Sequence, residues 1–224
     1  MSGVLDDLPR VWWSVDLPGY REHPRRPATY SPFEASELPA IERVLDDHLL
    51  WLADEQPVEQ SIGAEQPGRA TEATAGNLTR LLAGAPLALP SAFQSLIAER
   101  ALQDRVRSCT DCYLDLGEYV VSAGAEGTLI HFLSDSQWVL HWLLYVDSED
   151  EAVVVTQTAL GLFDDSPTPT VFDPARTAAA VCADTFNEFL WRFWIENEIW
   201  WSLAHTTTPL TPEQQRYLAH YRPG

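Results

Sequence analysis

Lysine is absent from this 224-residue chain: its fourteen basic residues are all arginines, set against 33 Asp and Glu for a net charge of −19. Between Arg107 and Arg176, 68 residues pass without a Lys or Arg while twelve carboxylates accumulate. From Asp111 to Glu198 sixteen carboxylates face two arginines, so this window carries −14 of the total. A negative field of this strength repels nucleic acid and anionic membrane and draws in cations or basic proteins. Cysteine is also scarce. The count of three is odd, which fits reduced thiols in the cytosol better than a disulfide framework. Long apolar runs are missing: Trp138–Val146, interrupted by His141, falls far short of the ~20 residues a membrane helix needs. Met1–Asp7 has neither a basic n-region nor an apolar h-region, so no secretory signal is expected. No G-x-S-x-G, phosphate loop, dinucleotide fingerprint or H-E-x-x-H occurs. These absences lead to the expectation of a soluble cytoplasmic protein without a recognisable catalytic motif. Arginine used to the exclusion of lysine, with abundant Ala and Leu, suggests a GC-rich bacterial genome.

The chain is nevertheless built to fold. Hydrophobic residues make up 46% and nine are Trp, whereas a disordered acidic tail is poor in aromatics. Residues 1–35, rich in Pro and aromatics, read as irregular backbone pinned by buried rings. Helical spacing of Leu38, Ile41, Leu45, Leu49 and Leu52 predicts a helix over Glu37–Glu55. Residues 56–77 read as a linker, followed by a short helix over Asn77–Ala83. Ser91 and Gln94 predict a capping box for the next helix. From Leu116 the period becomes strand-like: Leu116–Ser122, Thr128–Leu133, Gln137–Val146 and Ala152–Gln157, joined by short connections, predict an antiparallel meander. Gly161–Asp173 reads as loop. Asp173-Pro174 predicts a helix over Ala175–Ala183, and Thr185 with Glu188 caps another over Phe186–Leu203. Thr211 to Gln214 cap a terminal helix. The expected fold class is α+β: a meander of about four strands flanked by helices in residues 86–224, preceded by an irregular and helical extension, residues 1–85.

Candidate chemistry is sparse. Cys109-Thr-Asp-Cys112 is a CxxC without a second ligand pair, so incidental reduced thiols are expected and no metal or cofactor. His131 and His141 lie on consecutive predicted strands. With Asp135 they could form a metal or acid–base site, or, with Trp138 and Trp142, line a small-molecule pocket; histidines inside apolar strands are more often half-buried hydrogen-bonding groups. Glu196 and Glu198, two apart on a helix, face different ways and do not converge on one atom. Asp147–Glu151 has the composition of a calcium loop without its spacing, and reads as a solvated hairpin tip.

Several short sequences point to a family. Leu89-Pro90-Ser-Ala-Phe93 resembles the "LP-x-x-[FY/L]" helix start of the SUKH superfamily. Thr128–Asp135, Trp138–Asp147 and Val153–Val155 resemble its central strands, and Phe186-Asn-Glu-Phe189-Leu190 its closing "SF-x-x-FL" helix. The likeness covers about Leu87–Ser202. That superfamily includes a yeast regulator of cell-wall synthesis and bacterial immunity proteins that neutralise toxins, often nucleases; it implies no catalytic residue. Nuclease toxins are basic, and an acidic inhibitor gains association rate by electrostatic steering. The resemblance therefore implies a non-enzymatic protein-binding module for a basic, toxin-like partner. The acidic side chains on the meander turns and the following loop, Asp135, Asp147, Glu149, Asp150, Asp164 and Asp165, are the candidate contacts. The rival readings are an enzyme using the His131/His141 pocket and a structural or adaptor subunit.

Overall fold

The computed structural model describes residues 4–22, 30–64, 74–83, 87–125, 127–158, 160, 171–205 and 209–221. Near its start, strands β1 (Val11–Ser14) and β2 (Ser31–Glu34) pair antiparallel as a small ribbon. The helix expected over Glu37–Glu55 does not form. A 3₁₀ turn at Ala35–Glu37 stops because Pro39 holds Leu38 in extended geometry. The Asp46 carboxylate then accepts the backbone N–H groups of His48 and Leu50, so helix α1 is only Leu50–Ala53. Residues 58–62 are tied down by backbone hydrogen bonds from Val58 to Asp104 and Ile62 to Val106. Helices α2 (Ala75–Leu82), α3 (Ser91–Ala98) and α4 (Arg100–Gln103) follow. Pro90 occupies the N-cap of α3 without a side-chain cap, so Ser91 is the first helical residue and the expected capping box is absent.

The main sheet has six antiparallel strands. Strands β3 (Tyr113–Leu114) and β4 (Val121–Ala123) both pair with β5 (Gly127–Ser134); β6 (His141–Val146), β7 (Glu151–Thr156) and β8 (Ala179–Ala183) continue the order. Strand β8 replaces the helix expected over Ala175–Ala183. An Ala-rich segment has no strong strand preference, but here it extends the sheet beside Val153–Thr156, and tertiary pairing overrides local propensity. Helix α5 (Phe186–Ala204) is capped by the Thr185 hydroxyl, which accepts from Glu188 N; α6 (Pro212–Ala219) closes the described chain with a complete Thr211/Gln214 capping box.

The fold is thus α+β, with both faces of the sheet covered. One face packs Ile130, Phe132, Trp142, Leu144 and Val153 against Phe93 of α3 and the aromatics of α5. Leu129, Leu143, Tyr145 and Val154 face the other way, under Leu8 and Phe172. This double burial is why the strands read as continuous apolar runs instead of alternating. Trp12, Leu17, Leu49, Trp51, Leu52, Ile62 and Leu78 belong to the same core as α5, so the core does not divide at residue 85. No helix among the described residues is long and apolar enough to cross a membrane.

Candidate functional site

The two histidines anticipated on neighbouring strands do meet, with ring centroids 5.3 Å apart. A β-bulge brings them together. The register between β5 and β6 shifts between His131 and Leu133, so Phe132 and Leu133 both turn to the α5 face. The extra residue restores Ser134 to the face of His131, where its hydroxyl lies 3.1 Å from both His131 Nε2 and His141 Nδ1. The hydroxyl also donates, at 3.5 Å, to the fully buried Asp115.

This cluster corrects the expected pocket. His131, His141 and Trp142 are all at most 1% exposed, so no substrate reaches them from solvent. Trp138, half-buried in left-handed backbone (φ 60°), donates its indole N–H to Tyr113 Oη at 2.7 Å. Burial first, and the neighbouring His141 second, push His131 down to about 3, which keeps the ring neutral at physiological pH. His141 is lowered too, again chiefly by burial.

Asp135 also departs from expectation. It is 1% exposed, accepts from Tyr30 Oη at 3.0 Å and from Gln137 N at 3.0 Å, and so braces the β5–β6 turn instead of facing a partner. That turn delays β6 to His141. Tyr30 Oη also contacts Cys112 Sγ at 3.0 Å, and burial pushes the Cys112 thiol up to about 11. All three cysteines are free. Among the described residues no group of three His, Cys, Asp or Glu side chains is placed to hold a metal ion.

The remaining acidic residues behave differently. Asp147, Glu149 and Asp150 form the β6–β7 tip, where Asp147 Oδ1 accepts the N–H groups of Glu149 and Asp150, each at 2.8 Å. Those two bonds hold the Asp147 carboxyl below its ordinary range. Asp6 joins this end of the sheet from the N-terminal segment: with Asp147 and Asp150 it lies near enough to the Tyr145 hydroxyl to help raise it, after burial, to about 12. Asp47 comes from a third segment. Glu151, the first residue of β7 after the tip, accepts from Phe186 N at 3.0 Å and feels the Asp47 charge, and Asn187 donates to Asp46 O nearby. Asp164 and Asp165 lie outside the described residues.

Glu196, noted in the sequence only for its spacing from Glu198, is the most heavily bonded carboxylate among the described residues. Glu196, fully buried on α5, receives Arg21 Nη1 and Nη2 at 2.6 and 2.8 Å, Trp12 Nε1 at 2.8 Å, Tyr217 Oη at 2.5 Å, and the Ser14 hydroxyl. Burial alone would raise it, but Arg21 and these donors outweigh that and leave it lowered. Its neighbour Glu198 points elsewhere, to Arg107 Nε at 2.9 Å. The separate faces of the two carboxylates were legible from their spacing; the partners were not. Comparison with family profiles, curated proteins and solved structures gives no match to this chain.

Proposed function

We propose that this chain is a non-enzymatic, acidic protein-binding module, an immunity-type inhibitor of a basic, nuclease-like bacterial toxin, acting in the cytoplasm. One observation carries the reading: carboxylates from three separate segments, at Asp6, Asp47 and the Asp147–Asp150 tip, gather at one end of the sheet. Arg10, a nearby cation, is already paired with Asp184. The field at that end sums over all of these groups and falls off within roughly 8 Å at physiological salt. Such a surface speeds encounter with a cationic partner more than it adds affinity. The SUKH resemblance supplies the kind of partner, and the burial of His131 and His141 weakens the rival enzyme reading that depended on them.

Affinity capture from the source cell at low salt tests this. A basic partner should be recovered and lost steeply as salt rises. Replacing Asp147, Glu149 and Asp150 by their amides should slow association at low salt about tenfold and change it little at high salt. Salt-independent capture, or a partner as acidic as this chain, overturns the proposal.

A further inference from the structure

Away from the acidic end, a cleft of about 570 Å³ opens between residues 39–43 and helix α6, with α5 beneath. That volume is in the range of small-molecule sites. Each wall carries one carboxylate and one guanidinium. On one side stand Glu42 and Arg43, on the other Glu213 and Arg216, and they pair crosswise. The two guanidiniums and two carboxylates balance in charge, with His220 beside them bonded to Glu37 O, on a chain whose net charge is −19.

The two crossed pairs are unequal. Arg43 holds Glu213 through two bonds, at 2.9 and 2.6 Å, and its guanidinium lies 5.7 and 5.6 Å from the rings of Trp51 and Trp194. Arg192 Nη1 fixes the same wall by donating to Pro39 O at 2.9 Å. This pair joins the two walls of the cleft. The Arg216–Glu42 contact is looser: 3.3 Å, with side chains 59% and 73% exposed. An exposed ion pair contributes little, so both groups can exchange each other for a ligand. Trp191 and Tyr217, only 3% and 4% exposed, show no more than their edges at the base of the cleft, where their rings pack with centroids 5.8 Å apart. The Trp191 Nε1–H, covered from solvent, finds no acceptor among the described residues.

We propose that this cleft binds a small zwitterion bearing an aromatic ring, the class of a free aromatic amino acid, with its carboxylate on Arg216, its ammonium on Glu42 and its ring against the edges of Trp191 and Tyr217 that line the base. A purely anionic ligand meets Glu42 and Glu213, and a purely cationic one meets Arg43 and Arg216; only a ligand carrying both charges satisfies both members of the loose pair. The ligand closes the cleft by bridging the walls where the present ion pair does so weakly. This site is independent of the acidic docking end and stands or falls separately from it.

Calorimetric titration of the full chain with four probes tests the proposal: L-phenylalanine, its N-acetyl derivative, its amide, and glycine. L-Phenylalanine should bind at least about tenfold more tightly than each of the others, a difference of about 1.4 kcal/mol. Arg216→Gln and Glu42→Gln should each weaken it about tenfold with the melting temperature unchanged, because both side chains are exposed. The proposal is overturned by no heat with L-phenylalanine up to about 10 mM, well beyond ordinary metabolite affinities, by equal binding of the acetylated or amidated probe, or by full binding to Arg216→Gln. Equal binding of glycine overturns the aromatic assignment.

Discussion

Two polar groups are buried in this protein in opposite ways. Glu196 stays charged in the core, with Arg21 opposite and three further donors around it. His131 stays neutral, shares one hydroxyl with His141, and its Nδ1 finds no partner among the described residues. The contrast shows two solutions to the same desolvation cost. A charge is tolerated where its lone pairs are all used, and a titratable ring is tolerated where it gives up its proton. The first arrangement is strong and brittle; the second is quiet until the pH falls.

Removing one member of the charged node should have the largest effect. Glu196→Ala strands Arg21 in the core, and denaturant unfolding should register a loss of about 3–5 kcal/mol. Replacing Arg21 and Glu196 together by apolar residues should recover most of it. If the single variant costs no more than a surface substitution, the contrast collapses. Next comes a steric test that should spare both nodes. A Cβ on Gly127 would collide with the Tyr145 ring and approach Ala123 O to 2.6 Å, so Gly127→Ala should lose about 1–3 kcal/mol.

Acid titration then separates the nodes. His131 moves from an ordinary 6.5 to about 3 on folding, so in that window the unfolded chain binds the extra proton. Its contribution to stability is complete above pH 6.5 and drains as pH falls toward 3, at up to about 1.4 kcal/mol per unit. His131→Gln should flatten that slope already between pH 6.5 and 4.5. Glu196 is lowered from its ordinary 4.5, so its contribution is complete above that value and lost below it. Glu196→Gln should leave the upper window unchanged and alter only the lower. Identical profiles for the two variants would show that the nodes are not separate. The smallest effect belongs to the exposed tip: Asp147→Asn keeps the turn geometry and should cost under about 1 kcal/mol.

The legible parts of the fold were those whose signal is local. The central strands announced themselves by β-branched runs, and α5 and α6 by the Thr185 and Thr211 caps. Strand β8 departs from its sequence signal because an Ala-rich stretch after Asp173-Pro174 has helical chemistry, and pairing with β7 makes it extended. Residues 37–55 carried helical spacing, but Pro39 and the Asp46 carboxylate interrupt it. The histidine pair was foreseen; its burial was not, because a sheet covered on both faces leaves no polar side to recognise. Asp135 looked like any other turn carboxylate until Tyr30, 105 residues earlier in the chain, was seen to bond it. The doublets Asp6-Asp7 and Asp46-Asp47 lie outside the window that drew attention to charge, so their arrival at the sheet end needed the fold.

The bond from Trp12 to Glu196 joins residues 184 positions apart. Contacts of such long range are slow to form, because the chain between them must be ordered first. At about 5–20 residues per second, Trp12 emerges from a ribosome roughly 10–40 s before its acceptor is even synthesised. During that interval the Trp12 indole N–H lacks the acceptor it has in the folded chain. A growing chain therefore carries the Trp12 indole without its acceptor throughout that interval, and a chaperone that shields early hydrophobic segments would protect it there.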